Sequence, residues 1–287
     1  MSRLCIDFLS DKNINAIYFG LVASGYECSD IEKPKAVIEL SRQIRNCSGL
    51  GDVKKYFKSA RQKTCAPYPF WPRVALLESL TYFINDCDMA FEKYRDYVNN
   101  LTNLTEEEKN EDFFRWAKDF PKHLNEIKSN DLFKNIDKQI ELLVSTESAI
   151  KESEAMQIIK SLNALDADIN ISKLSVTICP LKCVYSADYF LRDSTISIIL
   201  GDFLPHSIVH EYMHLIVNPF IEKNREAILS LFGHKLFDID QSYYLNNDAC
   251  GFLNAFEEYI VRTASSLICI DHAMDIDQLI ENCIKKQ

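Results

Sequence analysis

At 287 residues and 47% hydrophobic side chains, the chain can build one large or two modest domains around a real core. Its 42 acidic and 32 basic residues leave a formal charge of −10, which argues against nucleic acid or an anionic membrane surface as a partner, since phosphate contacts need clustered Lys and Arg. Only 7 Gly and 8 Pro favour helices over a turn-rich β fold, and no run of about eighteen uncharged apolar residues is present to cross a bilayer.

Residues 1–165 read as a helical N-terminal region. Asn13 to Tyr26 is an apolar stretch that suits a buried helix ending near Gly25. Pro34 to Asn46 carries Val37, Ile38, Leu40 and Ile44 at helical spacing, and Gly49 and Gly51 stop it. Asp52 to Gln62 is a short basic amphipathic helix whose Lys and Arg form a solvated face. An aromatic, Pro-rich turn follows at Cys65 to Pro72, and Arg73 to Asn99 reads as one long helix. Thr105 to Glu108 has the form of a capping box. Further helices are predicted over Phe113–Phe120, Lys122–Lys128, Asp131–Leu143 and Glu147–Leu165.

Near Asp166 the period changes. Lys173 to Cys179 alternates as a half-buried strand does, and Val184–Phe190 and Thr195–Leu200 are two more strands. A small antiparallel sheet is therefore expected before an apolar helix that starts after Pro205 and ends near Asn218, where Pro219 disfavours helical backbone in the preceding residue. Helices are expected over Ile221–Phe232, ended by Gly233, over Cys250–Ile268 and over Asp275–Lys286. The fold class is thus α+β and mostly helical, with residues 166–287 as the second unit. Ten cysteines without repeated short spacing read as reduced core thiols, Cys179 and Cys183 among them as residues flanking a turn. With no basic leader before the first apolar run, a cytoplasmic protein is expected.

The chemistry concentrates at His210-Glu211-Tyr212-Met213-His214. On a helix with 3.6 residues per turn, His210 and His214 project from one face, where two imidazoles can hold one metal ion. Glu211 is rotated about a hundred degrees from the first ligand, where a general base must be to take a proton from a water on the metal. This is the HExxH pattern of zinc metallopeptidases. A catalytic zinc usually takes a third protein ligand and keeps the fourth position open. Glu257 and Glu258, on the helix of Cys250–Ile268, are the candidates.

With Asn218-Pro219 after the motif and Glu258-Tyr-Ile-Val-Arg262 downstream, the region of residues 170–270 resembles the glutamate-ligand zinc metallopeptidases, the gluzincins, and is similar to a largely uncharacterised bacterial family of that type. The 44-residue separation of His214 and Glu258 is longer than in the thermolysin-like branch, and the Gly-x-Met-Glu-Asn motif that holds a substrate amine in aminopeptidases is absent. The resemblance implies a zincin-like domain, a Zn²⁺ cofactor and hydrolysis of peptide bonds by an endopeptidase, with a peptide or protein as substrate.

Helix phase leaves the third ligand open. Glu257 lies on the edge of the apolar face of Leu253, Phe256, Ile260, Ala264 and Leu267. Glu258 lies in a polar stripe with Asn254 and Arg262, and is the preferred ligand. For a group facing the oxyanion, Tyr243 is the first candidate, with Tyr244, His234 and His272 as others. The resemblance also makes Thr195–Leu200 the edge strand that pairs with an extended peptide. The competing reading is a catalytically silent zincin-like module that binds a peptide or protein. Retention of Glu211 counts against it, because a purely structural zinc needs no base.

Overall fold

The computed structural model describes residues 5–26, 32–59, 73–83, 90–100, 111–146, 171–237 and 249–270. The chain opens with strand β1 (Cys5–Leu9) and continues through α1 (Lys12–Ala23), α2 (Lys35–Arg45), α3 (Gly51–Lys58), α4 (Arg73–Leu80), α5 (Ala90–Asn99), α6 (Glu111–Ala117), α7 (Phe120–Ser129) and α8 (131–146). Then follow β2 (Lys173–Ile178), β3 (Asp188–Arg192), β4 (Thr195–Leu200), α9 (Pro205–Lys223), α10 (Arg225–Phe237) and α11 (Ala249–Ile270). The fold is mostly helical with one small sheet, the α+β class expected. The predicted helices over 147–165 and 275–286, the turn over 65–72 and the capping box over 105–108 lie outside the described residues, as does the boundary near 165.

Helix α1 is the hub of the N-terminal region. The Asp11 carboxylate caps it, accepting from the N–H groups of Asn13 at 2.7 Å and Ile14 at 3.0 Å. Every residue from Ile14 to Val22 is buried, so helices pack all round it. Gly25, at φ 101°, adopts the left-handed conformation that ends the helix. Where α3 crosses, Gly20 lies against Phe57: a Cβ there would fall 2.6 Å from the ring.

The sheet departs from expectation in three ways. The N-terminal region is not wholly helical, because β1 joins the sheet, parallel to β2. A short terminal strand carries little periodic signal of its own, and the whole helical half serves as the crossover that a parallel pair requires. The sheet is also mixed rather than antiparallel. Its order is β1-β2-β4-β3, with β2 and β4 parallel and only β3–β4 antiparallel. The loop after β2 carries the chain past the position of β4 to the far edge, and a hairpin turn at Asp193, φ 54°, brings it back. Consequently β4 is an interior strand. Among the described residues the edges are β1 and β3.

Three helix limits also differ. The stretch expected as one helix from Arg73 to Asn99 contains two, α4 and α5, with a turn starting at Thr81. Helix α9 runs through Pro219 to Lys223. Proline there forfeits one backbone bond near the helix end, and the side chain of Asn218 turns back to the carbonyl of His214 at 2.9 Å, which holds the residue before proline in the helix. The break instead falls at Asn224, whose N–H caps onto Phe220 and Ile221, and α10 then continues through Gly233.

Alternate residues of β3 serve opposite faces of the sheet. Tyr189 stacks on His214 of α9, whereas Phe190 lies against Tyr82, beyond α4. One apolar cluster runs through both faces, from Ile14 of α1 to Cys269 of α11. No helix among the described residues is long and apolar enough to cross a membrane.

Candidate metal centre

Helix α9 starts with Pro205 at its first position, where the missing N–H costs nothing. Its placement depends on Gly201, which lets the turn after β4 touch the backbone of Lys182 and Cys183; a Cβ would lie 2.3 Å from the Cys183 carbonyl oxygen. Residues Ile208, Val209, Val217 and Ile221 bury the apolar face of α9, and α11 packs along it. That packing faces His210 and His214 toward Glu257 and Glu258.

The three groups expected as ligands converge. His210 Nε2 and His214 Nε2 are 3.3 Å apart, and the Glu258 carboxylate approaches each at 3.6 Å. Together they form a His-His-Glu group that could hold a metal ion. Their separations fit the donor set for one: ligands at zinc distances in a tetrahedron stand about 3.4 Å from one another. His210 Nδ1 is buried and has no hydrogen-bond partner among the described residues.

The adjacent glutamates, which helix phase could not separate, take different places. Glu258 faces the two Nε2 atoms and also accepts from Arg262 Nε at 3.0 Å. Glu257 instead contacts the far side of the His214 ring, Nδ1, at 2.5 Å. A carboxylate at Nδ1 makes that nitrogen the donor and leaves Nε2 free to act as a ligand.

The electrostatics follow from burial and from this crowding. Burial would raise the Glu258 carboxyl, but the hydrogen bond and charge of His210, with His214 and Arg262, hold it down at about 2. Burial would lower His214, yet the bond to Glu257 and the charges of Glu211, Glu258 and Glu257 lift it to about 9. Glu211 is only 7% exposed. Burial pushes its carboxyl above the usual range, against the pull of His210 and His214 and with the repulsion of Glu258 and Asp188. A carboxyl so shifted is better able to hold a proton than an ordinary surface glutamate.

Of the groups proposed to face the oxyanion, Tyr243, Tyr244 and His272 lie outside the described residues. His234 is in α10, but its side chain is not among those described.

Sequence reasoning missed Tyr189, Asn218 as a side chain, and His206. Tyr189 lies flat against His214, 5.6 Å between ring centroids and 12° between planes. Asn218 sits one turn beyond His214. In the amide orientation that satisfies its neighbours, its NH₂ donates to the Glu257 carboxylate and to the His214 carbonyl, and its oxygen accepts from the Tyr189 hydroxyl at 2.9 Å. His206 stands one turn before His210, its ring 6.4 Å away. The four-residue spacing of His206, His210, His214 and Asn218 was the available signal for two of these. Nothing in the sequence marks Tyr189, which arrives from another element.

Behind the sheet edge is a second polar cluster. Lys182, 1% exposed, donates to the Tyr18 hydroxyl at 2.8 Å, to Glu78 at 3.3 Å and to Asp188. Tyr18 donates to Glu78 at 2.5 Å. Burial drives the Glu78 carboxyl up to about 8, against the pull of Lys182. Burial would lower Lys182, but Asp188 and Glu78 together raise it. The cluster ties α1 and α4 to the start of β3, one residue before Tyr189. Cys179 and Cys183 flank the turn that carries Lys182; both are buried free thiols, with Lys182 N–H closing the turn onto the Cys179 carbonyl at 2.9 Å. The chain matches no family model, no curated protein and no solved structure.

Proposed function

We propose that the protein is a zinc-dependent peptidase of the gluzincin kind that cleaves peptide bonds within extended chains. The observation that carries the reading is the convergence of His210, His214 and Glu258 beside the buried carboxyl of Glu211. Two imidazoles and one carboxylate are a donor set suited to Zn²⁺ at a catalytic site, and bound there the ion would polarise a carbonyl and acidify water.

The remaining chemistry belongs to the chain. Glu211 takes a proton from the attacking water and returns it to the leaving amine, a transfer helped by its raised affinity for protons. Glu258 is held ionised by its cationic neighbours and stays a ligand rather than a competing base. Strand β3, rather than β4, supplies the docking edge in this reading. It lies at the margin of the sheet among the described residues, and Tyr189 joins it to the His214 ring. An extended peptide can add to such an edge by main-chain hydrogen bonds.

The test is elemental analysis of the purified chain followed by a peptide-library digest with wild type and Glu211→Gln. Zinc in both proteins, with hydrolysis reduced about 10²–10⁴-fold in the variant, is expected. Equal hydrolysis by both would remove Glu211 as the base. Zinc in both without cleavage of any peptide would replace the peptidase by a zincin-like binding module.

A further inference from the structure

We infer that Asn218 is a positioning residue for the metal centre: it sets the Glu257 carboxylate as the proton acceptor of His214 and thereby fixes which ring nitrogen faces the metal. The inference rests on the metal-centre reading above and adds to it a role for a residue that touches no ligand atom.

The geometry is a closed loop of contacts among three elements. Asn218, on α9, donates to the Glu257 carboxylate of α11 and to the backbone carbonyl of His214 at 2.9 Å. Glu257 contacts His214 Nδ1 at 2.5 Å. The hydroxyl of Tyr189, on β3, donates to the Asn218 oxygen at 2.9 Å, and the same tyrosine ring covers the face of His214. Each member therefore restrains the next. A carboxylate on a long Glu side chain can rotate, and without a donor on its other side it has no fixed direction. Asn218 supplies that donor. The Tyr189 hydroxyl can donate or accept and tolerates either orientation of the amide, but a flip would face the amide oxygen toward the Glu257 carboxylate and the His214 carbonyl, so one orientation is selected. The consequence is a His214 ring with Nδ1 as donor and Nε2 directed at His210 and Glu258.

His210 provides the internal contrast. Its Nδ1 is buried without a hydrogen-bond partner among the described residues. Among the described residues, the contacts behind the pair that can orient it are therefore those at His214.

The test uses the full chain and the metals alone. Zinc affinity is measured by competition with a chromophoric chelator at neutral pH, and Co²⁺ loading by visible absorption, for wild type, Asn218→Ala, Asn218→Asp, Tyr189→Phe and the reciprocal swap Asn218→Asp with Glu257→Gln. Loss of a group that orients a ligand costs about 10–100-fold in metal affinity, which is the drop expected for Asn218→Ala. Asn218→Asp sets two carboxylates against each other and should fall at least as far. The swap restores a donor between the two positions, while the amide carbonyl introduced by Glu257→Gln can still accept from His214, so most of the affinity and the wild-type Co²⁺ spectrum should return. A general packing defect would not be reversed by exchanging the two groups. Tyr189→Phe removes a single oxygen and should give a smaller loss, which keeps the test open if Asn218→Ala fails to fold.

Wild-type affinity in both Asn218 single variants would overturn the inference, as would a swap no better than Asn218→Asp alone. A wild-type chain that takes up neither zinc nor cobalt would instead overturn the metal centre itself, before any variant is compared.

Discussion

Two buried polar clusters lie on either side of the sheet edge, and they balance their charge differently. Around Lys182, the ammonium meets Asp188 and a Glu78 carboxyl raised to about 8, so at neutral pH the group is close to neutral by itself. Around His214, three carboxylates, Glu211, Glu257 and Glu258, share one guanidinium, Arg262, and two imidazoles. With the imidazoles neutral and the carboxylates ionised, that cluster is two charges short. Burying unbalanced charge is costly, and a chain whose purpose there was only stability would have placed a lysine or an apolar group. The first cluster closes on itself. Among the described residues, the second is balanced by a divalent cation, or by protons in its place.

The sharpest way to break this contrast is to remove ligands. His214→Ala and Glu258→Ala should each reduce zinc from near-stoichiometric to background in elemental analysis, while Lys182 variants that still fold should retain it. Zinc lost from His214→Ala but kept by Glu258→Ala would move the third ligand away from Glu258. Zinc should also stabilise the wild-type chain against thermal unfolding, by about 2.7 kcal/mol at a hundredfold excess over Kd, and do nothing for the ligand variants.

The opposite perturbation addresses the closed cluster. Lys182→Ala leaves the buried Glu78 and the partly buried Asp188 without their cation, and removing one partner of a buried pair is destabilising by about 3–5 kcal/mol. Urea unfolding of the metal-free proteins measures it. A loss below about 1 kcal/mol would mean that the two acids are protonated or hydrated once the lysine is gone, and that the ion pair contributes little.

How much of this was legible beforehand depends on the range of the interactions. His210, Glu211 and His214 are a local pattern on one helix, and helical periodicity alone puts the two imidazoles on one face. The choice between Glu257 and Glu258 was not legible, because the two differ by a rotation about α11 that only its packing on α9 fixes. Glu258 then faces the Nε2 atoms and Glu257 the Nδ1 atom. Tyr189 and Lys182 were invisible for the same reason: each acquires its role from a partner far away in the chain. The sheet shows the limit again. Strands β2 and β4 were marked by alternation, but whether they run parallel depends on where β3 is inserted, which alternation does not encode.

Proton competition sharpens the open cluster further. His214 is lifted to about 9 without a metal, so zinc must displace a proton to reach its Nε2. Between about pH 6 and pH 8, zinc affinity should therefore rise by about tenfold per unit for each proton released, in the same chelator competition. A flat profile would show that the imidazole is already neutral, and that the carboxylates are not acting on it.

The most gradual effect belongs to Glu78. Its carboxyl is raised from the ordinary 4.5 to about 8, so between those values the unfolded chain has released a proton that the folded chain still holds. The unfolded state then binds fewer protons, and stability falls as pH rises, by at most about 1.4 kcal/mol per unit for one proton. This contribution is fully present below about pH 4.5 and lost through about pH 8. Glu78→Gln keeps an acceptor for Tyr18 and cannot ionise, so the difference in unfolding free energy between wild type and variant should slope across this window and level off outside it. If the difference is flat, Glu78 is ionised in the folded protein, and the Lys182 cluster carries a net negative charge.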